Sequence, residues 1–246
     1  MKASVYHHPT YRNRIFLVLA TIHVNGLKAA VSHYSQRLIN GLSHEYGKPA
    51  KTETGTDDGR FTVASNDEEL EYLAIQSSNV KWGLPYGTWS QEIFDKAMQC
   101  VSIRPADYSF IDLGAGKGNS LLLASRYPFR SITGVEYSKT LADAACVNIA
   151  AQLGQNGSGA RIQCICGDAA EFEFPNEPTV LLLNNPFQGK VMDRVIANIE
   201  RSLRATPRDL WVIYGNPWEG RKFRRSAMFK TIEWNLDFSI HRSFFR

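Results

Sequence analysis

The chain has 246 residues, of which 43% are hydrophobic and 21% charged, the composition of an ordinary globular protein. This composition excludes collagen-like, coiled-coil and wholly disordered chains, and a formal net charge of +4 is too small to indicate a nucleic-acid-binding protein by itself. The charge is uneven, because residues 201–246 hold ten Lys/Arg and four Asp/Glu, so an anionic partner is expected at the C-terminal quarter.

The first 80 residues are predicted to form a helical extension and a linker. Apolar residues recur at helical intervals over residues 11–46, whereas residues 47–66 are rich in Gly, Thr, Asp and Lys. The longest apolar run, residues 15–24, contains a histidine and is far shorter than the roughly 20 residues of a membrane-spanning helix. We therefore expect a soluble, cytoplasmic protein without a membrane partner, with residues 81–246 as its main domain.

Strands and helices alternate regularly from residue 88 onward. Thr88 to Gln91 resembles a capping box before a helix that ends near residue 101. Predicted strands cover 108–113, 131–136, 161–167, 179–184 and 210–214, and predicted helices cover 118–127, 140–153 and 190–204. Residues 229–245 are predicted to form a terminal pair of antiparallel strands. This alternation, with nearly continuous apolar strands, predicts an α/β fold with a doubly wound parallel sheet.

The cysteine and histidine residues give no sign of a metal site. Four cysteines lie in apolar runs (Cys100, Cys146, Cys164 and Cys166), which predicts reduced cysteines in the core of a cytosolic protein. No second cysteine pair or neighbouring histidine completes a zinc site. The six histidines all lie outside the motifs described below, so we expect surface or packing roles for them and no histidine general base.

A glycine-rich turn connects the first predicted strand to the first helix of the alternating region. It reads DLGAGKG and places Asp112 two residues before Gly114, with further glycines at 116 and 118. In an open parallel sheet, ligands bind beyond the carboxyl ends of the strands, which is where this turn lies. The spacing fits neither a dinucleotide fingerprint nor a phosphate-binding loop. Asp112 would repel a phosphate and could accept hydrogen bonds from an ammonium group or from amides of the glycine loop.

DLGAGKG resembles the first motif of class I S-adenosylmethionine-dependent methyltransferases. Three further motifs follow in the order of that family: GVE ending at Glu136, GD ending at Asp168, and NNPF over residues 184–187. The resemblance covers roughly residues 83–245 and implies a seven-stranded sheet with an antiparallel last strand. It implies that S-adenosylmethionine is the cofactor, with its methionine part near Asp112, its ribose at Glu136 and its adenine at Asp168. It also places cofactor contacts at Gly114, Ala115, Gly116, Gly118 and Asn184.

Each of these residues also has a structural interpretation. Asp112 could cap the turn that follows it, and the glycines could serve close packing between helix and strand. Glu136 could be an exposed acid at a strand end. Asp168 could cap a short helix, a role that would still allow contact with adenine.

The turn at residues 184–187 is the candidate acceptor site. It resembles the N/D-P-P-Y/F turn of amino-group methyltransferases, and it is similar to an Asn-Asn-Phe-Ala-Phe stretch in nucleosomal lysine methyltransferases named for disruption of telomeric silencing. Pro186 stands where that second family has an aromatic residue. We expect Asn185 to orient an amine and Phe187 to form an aromatic wall that excludes water. A purely structural turn is the alternative, because Asn-Pro often begins turns.

Three further segments could contribute to the site. Tyr86 and Thr88 lie in a loop that closes over the methionine part of the cofactor in many such enzymes, or else they only anchor and cap the following helix. Residues 215–218 (GNPW) could line the acceptor pocket or form an ordinary turn. The basic run at 221–225 (RKFRR) could bind nucleic-acid phosphate or an acidic protein, although such runs are usually solvated.

The resulting hypothesis is an S-adenosylmethionine-dependent methyltransferase that acts on nitrogen, in a protein lysine or another amine. The alternatives are a small-molecule methyltransferase for O, S or C acceptors, a nucleic-acid methyltransferase, and a non-catalytic module that only binds the cofactor. The sequence does not identify the acceptor or the oligomeric state.

Overall fold

The computed structural model describes residues 89–153 and 161–245, and the structural statements below concern those residues. The predicted N-terminal extension and linker lie outside the described residues, as do Tyr86 and Thr88. The predicted boundary between residues 80 and 81 therefore stays a prediction.

Five α-helices, a short 3-10 helix (Pro105–Asp107) and seven strands are found in this part of the chain. The helices are α1 (Gln91–Cys100), α2 (Asn119–Ala124), α3 (Lys139–Leu153), α4 (Gly189–Ala205) and α5 (Arg221–Arg225). The strands are β1 (Ser109–Leu113), β2 (Ser131–Glu136), β3 (Ile162–Cys166), β4 (Thr179–Leu183), β5 (Leu210–Gly215), β6 (Phe229–Trp234) and β7 (Phe238–Ser243).

All seven strands belong to one sheet in the order β3-β2-β1-β4-β5-β7-β6. Strands β1 to β5 run parallel to one another, and β7 is antiparallel to both of its neighbours. The predicted doubly wound sheet with an antiparallel last strand is confirmed. The chain order reverses direction between β1 and β4, which is the place where open α/β sheets form a ligand crevice.

Successive side chains of each strand point to opposite faces of the sheet, and both faces are covered by a hydrophobic core. On one face, Ile111, Leu181 and Val212 pack with α4 through residues such as Val195 and Ile199. On the other face, the large members are Phe110, Leu182, Ile213, Phe94 of α1 and Leu121 of α2. Strands β1, β4 and β5 are buried at every residue, which explains why apolar residues predominate in them.

Helix α1 begins later than the predicted capping box implied. Ser90 is its N-cap and accepts a hydrogen bond from the Ile93 amide at 3.3 Å. Gln91 is the first helical residue, and its side chain bonds Asp95 instead of reaching back to a cap. The indole of Trp89 just before the helix stacks on Phe238 at a centroid distance of 6.4 Å, so this residue fixes α1 to the sheet.

The prediction that all four cysteines lie in the core is wrong for two of them. Cys146 and Cys166 are exposed, and Cys100 and Cys164 are half-buried. For Cys166 the reason is that β3 lies at the edge of the sheet, where only its first residue is buried, whereas Cys146 lies in helix α3. Across residues 89–153 and 161–245, no cluster of His, Cys, Asp or Glu is arranged to hold a metal ion. Nor is any helix in those ranges long and apolar enough to cross a bilayer.

Candidate functional site

The glycine loop at residues 114–118 passes over the carboxyl ends of β1 and β2. The amides of Gly114 and Ala115 both donate to the carbonyl of Val135, at 2.8 and 3.2 Å. All three glycines of the loop have positive φ, with +90° at Gly114 and +85° at Gly118. Residues with a side chain rarely adopt these backbone angles, so the glycines are needed for the shape of the loop.

The glycine loop touches the turn at residues 184–187 directly. A Cβ added to Gly114 would lie 2.4 Å from Cβ of Pro186, closer than non-bonded carbon atoms can approach. The structure thus brings the first and fourth predicted motifs together at the crevice between β1 and β4.

Glu136 holds the glycine loop in place. Its side chain is 3% exposed, and its carboxylate accepts hydrogen bonds from the Gly116 amide at 2.8 Å and the Ser138 amide at 2.9 Å. Burial raises the pKa of this carboxyl, and the backbone hydrogen bonds oppose that rise. Each oxygen keeps acceptor capacity beyond these two bonds, so the carboxylate can also take hydroxyl donors.

Asp112 is a buried carboxyl with an open acceptor. It is 2% exposed and accepts a hydrogen bond from the hydroxyl of Ser120, while its Oδ1 atom has no donor among the described residues. Burial raises its pKa to about 7, the Ser120 hydrogen bond lowers it, and the charge of Glu136 raises it further. The prediction of hydrogen bonds from glycine-loop amides to Asp112 is wrong, because these amides bond Val135 and Glu136.

Asp168 follows β3, the strand beside β2, and lies at the same carboxyl-terminal end of the sheet as Glu136. Its Oδ1 atom accepts the Ala170 amide at 2.9 Å, and its carbonyl accepts the Glu171 amide at 3.0 Å. Residues 169–171 form a turn rather than a helix, so the alternative role as a helix cap is replaced by that of a turn residue. The side chain is half-buried and remains partly accessible to a ligand.

Asn185 is fixed in both its backbone and its side chain. Its φ is +50°, and its Oδ1 atom accepts a hydrogen bond from the hydroxyl of Tyr214 at 2.9 Å. Both residues are buried, and burial raises the pKa of Tyr214, which therefore stays a hydrogen-bond donor. With Oδ1 identified by this bond, the amide NH₂ group of Asn185 has a defined direction.

The neighbouring Asn184 is linked to the exit of β5. Its Oδ1 atom accepts a hydrogen bond from the side-chain amide of Asn216 at 3.3 Å. Asn216 also has a positive φ, of +45°, and belongs to the predicted GNPW segment. Residues 184–187 and 215–218 therefore lie together at one rim of the sheet.

Phe187 lies deeper than its predicted role as an aromatic wall suggests. Its side chain is 5% exposed and belongs to the hydrophobic core on the α4 face of the sheet. A cavity of about 10 Å³, enough for roughly one water molecule, adjoins the predicted site. Phe187 does not line this cavity. The residues that line this cavity are Trp89, Asp112, Gly114, Ala115, Asn119, Ser120 and Asn184.

A larger cavity lies away from the predicted motifs. It measures about 520 Å³ and runs between residues 170–174 and α4. An ion pair between Arg194 and Glu171 crosses this region. It contains no residue of the glycine loop or of the 184–187 turn, so its size alone does not make it the functional site.

Sequence reasoning missed two side chains that shape the site. Ser120 bonds Asp112, and Tyr214 bonds Asn185. The signal for Ser120 is its position in the first turn of the helix after the glycine loop. Tyr214 gave no signal, because a tyrosine inside LWVIY reads as an ordinary core residue of a strand.

Comparison with families and curated proteins gives no match. Among solved structures, the chain is similar to the 23S rRNA methyltransferase ErmE, at 14% identity and a TM-score of 0.47, over 65% of this chain and 70% of that one. It is similar to a dimethyladenosine transferase from Plasmodium falciparum at 13% identity and a TM-score of 0.46, over 65% and 63% of the two chains.

A third similar structure is an S-adenosylmethionine-dependent methyltransferase from Geobacter sulfurreducens in complex with S-adenosyl-L-homocysteine. Its identity is 20% and its TM-score 0.37, over 50% of this chain and 48% of that one, so the chain spans about half of its length. These similarities concern chain architecture and carry no information on the acceptor.

Proposed function

We propose that this chain is a methyltransferase that uses S-adenosylmethionine and transfers its methyl group to an amine nitrogen. The observation that carries the proposal is the buried carboxyl of Asp112, whose Oδ1 atom has no donor among the described residues and which lines the small cavity beside the glycine loop. A buried carboxylate with an open acceptor calls for a cationic donor, and the ammonium group of the cofactor's methionine part is one.

The other motif residues suit the remaining parts of that cofactor. The bare backbone of the glycine loop allows close approach, and Glu136 keeps acceptor capacity for ribose hydroxyls after binding two amides. Asp168, at the adjacent strand end, has a half-buried carboxylate for the adenine amino group. When bound, S-adenosylmethionine supplies a methyl group activated by its sulfonium charge.

The 184–187 turn suits an amine acceptor. The Oδ1 atom of Asn185, which keeps a second lone pair beside the one bound by Tyr214, and nearby main-chain carbonyls can accept hydrogen bonds from the N–H groups of an amine so that its lone pair faces the methyl group. An amine can lose its proton to water beforehand, so no general base is required. His241, the one histidine within the described ranges, is fully buried in the core, and desolvation lowers its pKa to about 3.

Calorimetric titration with S-adenosylhomocysteine tests the proposed cofactor site. We expect binding by the wild type and at least tenfold weaker binding by Asp112→Asn and by Glu136→Gln, because each variant removes a charge that the ligand's donors would meet. Glu136→Gln retains one acceptor for the loop amides and is therefore a milder change than alanine. A tenfold loss corresponds to about 1.4 kcal/mol.

Asp107→Asn is the matched control. Asp107 precedes β1, so it lies at the amino-terminal end of this strand, away from the glycine loop, and it pairs with Arg104 on the surface. This variant should bind S-adenosylhomocysteine as the wild type does. A folded wild type that binds neither this ligand nor S-adenosylmethionine would overturn the proposal, and equal losses in all three variants would assign the effect to general destabilisation.

A further inference from the structure

Three of the four cysteines lie together where helix α3 packs on the edge strand β3. The thiol of Cys146, in α3, donates a hydrogen bond to the main-chain carbonyl of Cys164 at 3.6 Å. Cys164 and Cys166 are two residues apart in β3, so their side chains point to the same face of the sheet. Cys164 packs against the same hydrophobic core as Ile149 of α3, so this face is the one that α3 covers.

The directions of the three thiols indicate which two can join. The sulfur of Cys146 lies against the backbone of Cys164, as its hydrogen bond shows. The thiol of Cys166 instead donates to the carbonyl of Tyr137 at 3.8 Å, beyond the end of β2. A disulfide between Cys146 and Cys164 would therefore replace a contact that already exists between α3 and β3.

The two cysteines of this pair differ in their access to solvent. Cys146 is exposed, whereas Cys164 is half-buried. Desolvation raises the pKa of the Cys164 thiol, and the negative charges of Cys146 and Glu136 add to the rise. Cys164 thus stays a neutral thiol, and Cys146 is the member of the pair that a dissolved oxidant reaches first.

Cys146 belongs to the turn of α3 that contacts the glycine loop. The side-chain amide of Asn148 donates to the carbonyl of Lys117 at 2.9 Å. On the other side of Cys146, a Cβ added to Gly118 would lie 3.1 Å from Cβ of Ala145. A displacement of this turn would therefore displace the glycine loop.

Cys164 belongs to the strand that leads into the proposed adenine contact. It lies four residues before Asp168, and the intervening Gly167 amide donates to the carbonyl of Glu136 at 2.9 Å. A bond between Cys146 and Cys164 would thus join the helix that supports the glycine loop to the strand that carries Asp168.

We propose that Cys146 and Cys164 are an oxidation site that forms a reversible disulfide with hydrogen peroxide, and that this disulfide weakens cofactor binding. The effect on binding rests on the proposed methyltransferase function, whose site it regulates, whereas formation of the disulfide does not. Disulfides require a Cβ–Cβ distance of about 3.5–4.5 Å and a restricted dihedral angle, so α3 and β3 must adjust to form one.

The reaction has two steps. The Cys146 sulfur attacks one peroxide oxygen, which breaks the O–O bond, releases hydroxide and leaves a sulfenic acid. The Cys164 sulfur then attacks the Cys146 sulfur, which forms the S–S bond, breaks the S–O bond and releases water together with the Cys164 proton. Two electrons pass from the sulfurs to the peroxide, and the products are one disulfide and two water molecules.

Peptide mapping of the full chain tests the disulfide. The protein is treated with hydrogen peroxide, its remaining thiols are alkylated, and its tryptic peptides are analysed by mass spectrometry without reduction. We expect a peptide pair that links Cys146 to Cys164, formed also by Cys166→Ser, in which Cys164 is the single cysteine of its peptide. Cys146→Ser and Cys164→Ser should not form the link, and dithiothreitol should remove it from the wild type.

Three results would overturn the disulfide. The first is a Cys146–Cys166 link, and the second is a disulfide between two chains, visible as a dimer in non-reducing electrophoresis. The third is oxidation of Cys146 to a sulfinic acid without any link, since it would show that Cys164 does not reach it.

Calorimetry with S-adenosylhomocysteine tests the effect on the cofactor site. We expect the oxidised wild type to bind about fivefold more weakly than the reduced protein, the lower end of typical coupling between two sites. Dithiothreitol should restore the affinity. Peroxide should leave the affinity of Cys146→Ser and Cys164→Ser unchanged, and an equal loss in these variants would assign the effect to oxidation elsewhere.

Cys100→Ser is the matched control. Cys100 lies in α1, its thiol donates to the carbonyl of Lys96 at 3.4 Å, and the charge of Glu233 in β6 acts on it. Strands β6 and β3 form opposite edges of the sheet, so Cys100 lies far from the pair. This variant should form the disulfide and lose affinity on oxidation as the wild type does.

The two measurements separate this inference from the proposed function. Reduced wild type that binds S-adenosylhomocysteine but forms no Cys146–Cys164 link would overturn the inference alone. A link that leaves the affinity unchanged would overturn its regulatory part. Reduced wild type that binds neither S-adenosylhomocysteine nor S-adenosylmethionine would overturn the proposed function, and with it any effect of the disulfide on cofactor binding.

Discussion

At the scale of single residues, Asp112 is the group whose protonation state decides whether the proposed site can work. Desolvation disfavours its charged form, and the nearby charge of Glu136 adds to this, so its pKa rises to about 7 despite the Ser120 hydrogen bond. Without a ligand, the carboxyl is therefore largely protonated in mildly acidic solution. An ammonium group beside Oδ1 would restore the carboxylate, which couples ligand binding to release of a proton.

We therefore expect the affinity for S-adenosylhomocysteine to rise between pH 5.5 and 7. Below pH 7 the rise should be about tenfold per pH unit, because binding requires the ionised carboxylate and each unit changes its population tenfold. The measurement is calorimetric titration across this pH range. Asp112→Asn, which cannot ionise, should bind S-adenosylhomocysteine weakly at every pH. If the affinity of Asp112→Asn kept the wild-type pH dependence, a group other than Asp112 would be titrating.

The same carboxyl affects folding with the opposite sign to a salt-bridged acid. Its pKa in the folded chain is raised, so its contribution to stability is fully present below the unfolded-state value of 3.8 and is lost as pH rises through about 7. The site thus carries a cost in stability at neutral pH, which a bound cation would offset. Such a cost is common at functional sites.

At the scale of elements, the proposed site depends on the contact between the glycine loop and the 184–187 turn. We expect Gly114→Ala to lower the free energy of unfolding by about 1–3 kcal/mol, through strain at φ +90° and overlap with Pro186. The variant should also weaken S-adenosylhomocysteine binding, because the loop must move away from the turn. Chemical denaturation and calorimetry measure the two effects.

Gly167→Ala is the control for this substitution. Gly167 lies on the same edge of the sheet, but an added Cβ would meet its nearest neighbour, Val135, at an ordinary 3.8 Å. This variant should keep both stability and binding. If Gly114→Ala behaves like Gly167→Ala, the close approach of loop and turn is not required.

The same elements show what the sequence can and cannot predict. The apolar runs in β1, β4 and β5 predict buried parallel strands, and the strand ends correctly place the glycine loop, Glu136, Asp168 and the Asn-Asn turn on one edge. The exposure of Cys166 could not be predicted, because it depends on β3 being the edge strand. Likewise, only the fold shows that Tyr214 lies opposite Asn185, since strand order determines which buried side chains meet.

At the scale of the whole molecule, the β6–β7 hairpin closes one end of the sheet and supports α5. His241 of β7 lies at the centre of this region, fully buried, between the rings of Phe223 and Trp234. Its two ring nitrogens contact the hydroxyls of Thr231 at 3.1 Å and Ser239 at 2.9 Å. A neutral imidazole needs one donor and one acceptor, and two hydroxyls provide both.

Protonation of His241 should therefore unfold the protein as a whole. Desolvation, with a smaller effect of the Arg224 charge, lowers its pKa to about 3 from the ordinary value of 6.5. The unfolded chain binds a proton in this interval and the folded chain does not. Stability should accordingly fall with decreasing pH from 6.5 toward 3, by about 1.4 kcal/mol per unit for this group.

His241→Gln isolates this effect, because glutamine can also donate and accept but does not titrate. We expect the variant to be less stable than the wild type at pH 7, owing to lost ring packing, and the gap to narrow by about 1.4 kcal/mol for each pH unit below 6.5. Urea denaturation at pH 7, 6, 5 and 4 measures the gap, and other titrating groups cancel in the difference. Parallel stability curves for the two proteins would show that His241 is protonated in the folded chain. In that case, protonation of His241 would not be the cause of a loss of stability in acid.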